Sequence, residues 1–349
     1  MGRKRKQNPL GLPERVYARH GAFFYVHRDG RWERLGTDLA EARRKGTLHN
    51  DPHGAYGTIG YLLDTFIIHC EKRAQAGDLA PRTLADYRDA VVPLKAYFGA
   101  MTPASVGPPH IGKYLDLGVQ LGRPVRANRE KACLSSCFTW LIRTGDGGIT
   151  QNPCIGVKRN TERARERYIE DWEFNKVMAK ATSPQAKAVA GLIYRTLQRP
   201  IDILRWTAAN IVHKAIDGGE ERVLRFRQSK TGAHLEIRVT HEIDEYLRWA
   251  AGDGKKVTGM TLIHTGRGQP YAEKSISGMW GTYVRACDGI KDFGIYDLKG
   301  KGATDMWLAG VPLEQIQALC GHESITTTEI YVKSRWRGTI EPNRRVVGE

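Results

Sequence analysis

The spacing of apolar and polar positions changes three times along this chain. In the first fifty residues it is short. Arg15-Val16-Tyr17-Ala18-Arg19-His20, Ala22-Phe23-Phe24-Tyr25-Val26-His27 and Arg31-Trp32-Glu33-Arg34-Leu35 are β-prone, aromatic-rich runs. His20-Gly21 and Asp29-Gly30 are turn signals between them, so three short strands are predicted. The helical segment Asp38 to Lys45 follows, and residues 1–55 read as a small three-stranded sheet packed on one helix. Basic and aromatic residues alternate along it, which gives one face that can meet phosphates while the other packs.

From Tyr56 to about Asp146 the period lengthens. Ile59, Leu62, Leu63, Phe66 and Ile67 form an i, i+3, i+4 stripe, and Leu84, Tyr87, Val91, Leu94 and Phe98 form another after the start signal Pro81-Arg82-Thr83. A third run, Asn128 to Arg143, carries Ala132, Leu134, Phe138, Leu141 and Ile142 and stops at Gly145 to Gly148. Residues 56–150 are therefore expected to form a helical bundle. The turn Asn152-Pro153-Cys154 and the charged stretch Lys158 to Arg167 read as a linker over residues 151–168, too polar for a core and basic enough to lie along a nucleic-acid backbone.

Residues 169–349 mix the two periods. Ala186 to Leu204 reads as a helix pair broken at Pro200, with Arg199 at the second helix start and Asp202 in reach of its guanidinium. Val223, Arg225 and Arg227 alternate, as do Leu235, Ile237 and Val239, which makes Lys230 a hairpin-tip residue. Pro312 starts a helix through Leu319, Gly321 stops it, and Ser324 caps the next. The fold class is multidomain α+β: a sheet-plus-helix domain, an all-α bundle, and a mainly helical domain with a small sheet.

Charge then narrows the partner. Lys and Arg number 54 against 38 Asp and Glu, a formal charge of +16, which suits a polyanion. A length of 349 residues suggests two or three domains. No apolar run reaches the roughly 18 residues that span a bilayer. The basic start Met1 to Lys6 runs into Gln7-Asn8-Pro9 instead of an apolar segment, so no secretion signal is expected and a cytoplasmic location is. Cys70, Cys133, Cys137, Cys154, Cys287 and Cys320 lack paired short spacing and read as free thiols in a reducing compartment. Cys133 and Cys137, one helical turn apart, could share a metal, but no histidine cluster joins them and buried packing is the better reading. The chain has no fixed-period repeat and no low-complexity tract.

Four segments carry candidate chemistry: Thr196-Leu197-Gln198-Arg199-Pro200-Ile201-Asp202 ahead of Leu204-Arg205-Trp206; Gln228-Ser229-Lys230-Thr231-Gly232; Tyr296-Asp297-Leu298-Lys299 followed by Gly302-Ala303-Thr304; and Leu319-Cys320-Gly321-His322-Glu323-Ser324 running to Tyr331. In this order they resemble the catalytic domain of the tyrosine recombinases, the phage integrase family. The resemblance covers essentially the whole chain. It implies an arm-type DNA-binding domain at 1–55, a core-binding (SAM-like helical) domain at 56–150 and a catalytic domain at 169–349. It implies Tyr331 as nucleophile, with Arg199, Lys299 and His322 around the scissile phosphate and Lys230 protonating the leaving 5′ oxygen from the minor groove. Tyr296 stands where the family generally has a histidine, and Lys299 where it has the second arginine. Implied partners are double-stranded DNA at core and arm attachment sites, further copies in a homotetramer, and DNA-bending accessory proteins, all at the nucleoid of a bacterial host. No membrane is implied. The implied function is integration or excision of a mobile element.

The chemistry accounts for these residue types. A phosphodiester repels nucleophiles, so cations must meet its non-bridging oxygens as charge builds in the pentavalent transition state; Arg199, Lys299 and His322 are expected in that role. A tyrosine hydroxyl is a weak nucleophile at its ordinary pKa and needs neighbouring cations. A tyrosyl phosphate ester conserves the energy of the broken bond, so no cofactor or metal is expected. Gly266-Arg267-Gly268 lacks the third glycine of a phosphate loop. Three alternatives remain: a type IB topoisomerase-like relaxing enzyme, a DNA-binding relative weakened by the changes at Tyr296 and Lys299, and a metal-dependent nuclease.

Overall fold

The computed structural model describes residues 8–51, 54–162, 167–217, 219–251 and 260–333. The basic start Met1 to Lys6 and residues 163–166 of the charged stretch lie outside them. The chain divides into two compact units, Met1–Arg163 and Ala164–Glu349.

The first unit opens with β1 (Val16–Arg19), β2 (Ala22–Val26), β3 (Trp32–Gly36) and α1 (Leu39–His49). The strands are antiparallel in the order β1-β2-β3, with Val16 opposite Tyr25 and Tyr25 opposite Glu33. Asp38 caps α1 by accepting from the Glu41 amide at 2.7 Å. The helix runs one turn beyond Lys45, to His49, because its last turn packs back on the sheet. Leu12, Val16, Tyr25, Leu35 and Ala42 form the core between sheet and helix. On the other face Tyr17 and Trp32 are exposed, and the Arg19 guanidinium lies 5.0 Å over the Trp32 ring.

A second core follows, around four helices: α2 (Ile59–Gln75), α3 (Pro81–Phe98), α4 (Pro108–Gln120) and α5 (Pro124–Thr144). The apolar stripes predict three; α4 escapes because Gly112 and Gly118 dilute its stripe of Ile111, Tyr114 and Leu115. Helix α5 starts a turn earlier than Asn128. Its first turns bury polar groups, each of which has a partner: the Glu130 carboxylate accepts from Tyr114 Oη at 2.6 Å and Arg123 Nη1 at 2.6 Å.

The linker reading of 151–168 needs a correction, since its first half packs on the bundle. Asn152 is buried and donates to the Ser135 carbonyl at 2.9 Å, and Cys154 lies in the bundle core. Lys131 Nζ donates to Val157 O at 2.6 Å, and Asn128 and Asn160 exchange hydrogen bonds, the Asn160 amide reaching Asn128 Oδ1 at 2.9 Å. Polarity misleads here because Asn152, the Val157 carbonyl and Asn160 meet partners on α5 rather than water.

The second unit contains α6 (Asp171–Lys180), α7 (Pro184–Thr196), the short α8 (Pro200–Ile203), β4 (Ile211–Ile216), β5 (Gly219–Arg227), β6 (His234–Arg238), α9 (His241–Ala251), α10 (Glu273–Arg285), α11 (Asp297–Leu308), α12 (Leu313–Cys320) and α13 (Ile325–Lys333). Its sheet is antiparallel in the order β4-β5-β6. Val189, Leu192 and Ile193 of α7, Trp206, Trp280 and Leu298 anchor the larger core, at about 1.5–3 kcal/mol for each fully buried large side chain. A smaller cluster of Leu197, Ala303, Ile316, Cys320 and Val332 ties α11, α12 and α13 together. Helix α11 can lie against α7 because residue 302 is glycine: a Cβ there would sit 2.3 Å from the Tyr194 carbonyl oxygen. The protein is thus a mainly helical α+β molecule with two three-stranded sheets. Among the described residues no helix is long and apolar enough to cross a membrane.

Candidate active site

The site is built where α7 ends, where β5 turns into β6, and where α11 meets α12. Helix α7 stops at Leu197, a buried non-glycine residue at φ 54° and ψ 27°. Left-handed backbone at a branched residue is held against its own preference, and such strain gathers at functional sites. It swings Gln198 inward, where its Nε2 donates to the Leu319 carbonyl at 2.7 Å. Arg199 then sits at the N-cap of α8, its side chain 19 % exposed.

Asp202 does not hold Arg199 in the way its spacing suggests. The nearest approach, Nη1 to Oδ2, is 4.0 Å, beyond hydrogen-bond length. The other oxygen, Oδ1, accepts from the Ser229 amide at 2.8 Å and the Ser229 hydroxyl at 2.6 Å. Asp202 therefore pins the β5–β6 turn, and a tight turn with free amides is a better partner for it than a solvated fork. Arg199 instead donates to Gln228 Oε1 at 3.4 Å.

Gln228 is the centre of the site and the residue that sequence reasoning overlooked. It is buried; its Nε2 donates to Gln198 Oε1 at 2.6 Å and to the Cys320 carbonyl at 2.9 Å, and its Oε1 accepts from Thr231 Oγ1 at 2.6 Å. Only its place just ahead of the hairpin tip could have drawn notice. Lys230, two residues on, is exposed at that tip.

Lys299 lies in the first turn of α11 and is 4 % exposed; its Nζ donates to the same Cys320 carbonyl at 3.1 Å. Burial, with Arg199 and Lys230 adding repulsion, pulls its ammonium down to about 8. The Cys320 carbonyl is available because α12 ends there: Gly321 takes φ 64°, and a Cβ on it would meet the Gln228 amide at 2.5 Å.

His322 follows Gly321. Its Nδ1 lies 3.0 Å from Thr328 Oγ1, and burial, reinforced by Lys299 and Arg199, pushes the imidazole down to about 4. The expectation of a cationic His322 is thereby corrected: two cations close by and little water leave the ring neutral at neutral pH. Its ring centroid is 5.3 Å from that of Tyr331, which α13 carries. Thr304 Oγ1 reaches the Tyr331 carbonyl at 3.5 Å.

Five of the six expected residues thus lie on the elements that meet here: Arg199, Lys299, His322 and Tyr331 around the end of α12, and Lys230 at the exposed tip between β5 and β6. Tyr296 is different. It is the N-cap of α11, 49 % exposed, and no described contact joins it to the others.

A model of the phage integrase family matches residues 168–336. Those residues belong to that family. Strand breakage and rejoining by a tyrosine is the chemistry of the class. Tyrosine recombinase XerC of Pelobacter propionicus is 25% identical over 282 residues, 77% of this chain and 89% of that protein. Tyrosine recombinase XerC of Roseiflexus sp. is 26% identical over 232 residues, 62% of this chain and 70% of that one. Beyond the phage integrase domain, the fold matches lambda integrase solved as a dimer on a COC' core site, with a TM-score of 0.66, 20% identity, 95% of this chain and 99% of that chain covered. The Tn1549 transposon integrase bound to transposon right end DNA gives 0.60 at 14% identity, covering 78% and 94%.

Proposed function

We propose that this chain is a site-specific DNA recombinase that cleaves and rejoins DNA through Tyr331, moving a mobile element into or out of a larger DNA. The observation that carries the proposal is the convergence of Arg199, Lys299 and the His322–Tyr331 pair on the loop between α12 and α13. Tyr331 Oη gives up its proton to solvent and attacks phosphorus, the bond to the 5′ oxygen breaks as that oxygen takes a proton from Lys230, and a 3′-phosphotyrosyl ester remains until a 5′ hydroxyl reverses the step. Arg199 offers a planar fork and Lys299 a point charge to the non-bridging oxygens. Neutral His322 acts as a donor in the tautomer in which Nδ1 accepts from Thr328 and Nε2 carries the ring proton.

The likeness to lambda integrase on a core site, and to its tetramer bound to a Holliday junction, supports double-stranded DNA as partner and a tetramer as the working assembly. The sheet of residues 16–36, with its exposed Tyr17 and Trp32, fits an arm-type DNA-binding domain, the bundle of 59–144 a core-binding domain, and residues 169–333 the catalytic domain. The test is a nicked suicide substrate carrying the chain's own crossover site. Wild type should form a covalent adduct mapping to Tyr331, and Tyr331→Phe should bind the site with unchanged affinity and form none. An adduct persisting in that variant would remove Tyr331 from the mechanism. A wild type that binds but never reacts would favour the weakened relative, for which the exposed Tyr296 and the carbonyl-bound Lys299 speak.

A further inference from the structure

The first unit holds a cluster that recombination chemistry does not use. His27 directly follows β2, at the start of a tight turn closed by Gly30 N donating to His27 O at 3.0 Å, Glu33 lies on β3, and His49 is the last residue of α1. His27 Nε2 is 2.8 Å and His49 Nε2 3.1 Å from one and the same oxygen, Glu33 Oε2. The ligand-capable atoms of all three lie within 4.8 Å of one another. The two imidazoles meet edge to face, with centroids 5.2 Å apart.

Their placement is held from outside the cluster. Tyr25 stacks on the His49 ring at 4.5 Å, and its hydroxyl donates to Asn50 Oδ1 at 2.9 Å, which fixes the end of α1 against β2. In a domain rich in arginine, a carboxylate would ordinarily take an arginine; this one is claimed by two imidazoles instead. We propose that His27, Glu33 and His49 form a binding site for a divalent transition metal of the zinc class, clipping the C-terminal end of α1 to the sheet.

The donor set supports that class. Two imidazole nitrogens and one carboxylate oxygen are the ligands zinc takes, and they are a poor set for magnesium or calcium, which prefer oxygen alone. Zinc bonds of about 2.0–2.2 Å put tetrahedral ligand atoms roughly 3.3 Å apart, so the present 2.8 and 3.1 Å separations need to open by only a few tenths of an ångström. The Glu33 carboxylate brings a negative charge that offsets part of a dication's. Side-chain exposures of 21 %, 42 % and 32 % leave the fourth position open to water or an anionic oxygen. Binding requires both Nε2 atoms free of protons, so acid competes with the ion. Each ion bound to the folded state alone also raises its stability.

The experiment uses the full-length protein stripped with chelator and titrated with Co2+ and then Zn2+. The expected result is one Co2+ per chain with visible d–d bands and no thiolate charge-transfer band, displacement by Zn2+, and a higher first thermal transition in Zn2+. Glu33→Gln and His49→Gln should each weaken affinity at least about tenfold, the loss of a direct ligand exceeding that of an outer partner. Circular dichroism of the metal-free variants checks that the sheet survives. Absence of d–d bands in wild type with excess Co2+, uptake unchanged in both variants, or a thiolate band placing the ion on cysteine would each overturn the proposal.

Discussion

Lys299 and Gln228 donate to one carbonyl, that of Cys320, at 3.1 and 2.9 Å. A single backbone oxygen at the end of α12 therefore fixes both the lysine that stands for an arginine and the glutamine that steers Arg199. A guanidinium in that space would need a second acceptor in plane; an ammonium needs none, so lysine fits the position chemically while giving up two-pronged alignment.

The first prediction concerns pH. Burial lowers the Lys299 pKa to about 8, so its charge is lost as pH rises through that value. Single-turnover cleavage by wild type at subsaturating DNA should fall about tenfold per pH unit above it, while Lys299→Arg should stay flat. Lys299→Ala should raise the cleavage barrier by about 2–4 kcal/mol with little change in DNA affinity. Stability moves the other way: between about 8 and the ordinary lysine value of 10.5 the unfolded chain binds the extra proton, so this group makes the protein more stable as pH rises there. An alkaline decline identical in wild type and Lys299→Arg would detach Lys299 from the chemistry.

Gly321→Ala should damage fold and site together. The new methyl would meet the Gln228 amide at 2.5 Å in a backbone at φ 64°. The backbone alone costs about 1–2 kcal/mol, and the displaced Gln228 frees Arg199. Adding Gln228→Ala removes the clash but not the φ strain, so the double variant should recover part of the melting temperature and none of the adduct. Fully additive losses would show that the two residues do not meet.

A chain beginning at Tyr56 should still bind and cleave a core site but lose affinity for flanking arm sites, because the sheet around Val16, Tyr25 and Leu35 has its own core. Affinity at both kinds of site should fall with salt by about 0.9 log units per log unit for each phosphate contact. Undiminished binding of long flanked DNA by the shorter chain would refute the arm assignment.

Much of this was legible because it rests on local rules. The period-2 runs from Arg15 to Leu35 and the glycine after α12 announce themselves whatever surrounds them. The extent of α5 was not legible, since Asn128, Glu130 and Lys131 look solvated until Asn160, Arg123 and Val157 arrive from elsewhere in the chain. Within the site, the resemblance to the recombinase motifs pointed to Arg199, Lys299, His322 and Tyr331, while the local spacing paired Arg199 with the wrong acceptor. The i, i+3 relation of Arg199 to Asp202 is real; competition from the Ser229 amide, 27 residues away, is a tertiary fact. The neutrality of His322 likewise depends on burial and on two cations that no short window contains.

The last prediction tests whether α11 is braced from behind. Lys301, two residues past Lys299, has no exposed side chain; its Nζ lies 2.5 Å from Asp171 Oδ1 and 3.0 Å from Asp305 Oδ2, and 4.8 Å from the Tyr168 ring centroid. Tyr168 donates to Asp305 Oδ1, and Tyr194 donates to Oδ2 at 2.8 Å. Burial first and Asp305 second push both phenols above their ordinary range, so the network carries one cation among fixed donors. Removing one member of a buried pair strands the other, at about 3–5 kcal/mol. Because Asp171 is largely exposed, Lys301→Met should fall at the low end, about 3 kcal/mol. Asp305→Asn leaves Lys301 its pair with Asp171 but takes away the charge that Lys301, Tyr168 and Tyr194 share, so it should cost a comparable amount. The double variant Lys301→Met, Asp305→Leu should recover much of the loss, as an apolar replacement of a buried pair often does. Urea unfolding of wild type, Lys301→Met, Asp305→Leu and the double variant gives the coupling energy, and suicide-substrate cleavage by the double variant reads what the pair does for Lys299. Near wild-type stability with slowed cleavage would mean that the pair sets the position of α11; wild-type stability with wild-type cleavage would leave it no role in aligning Lys299.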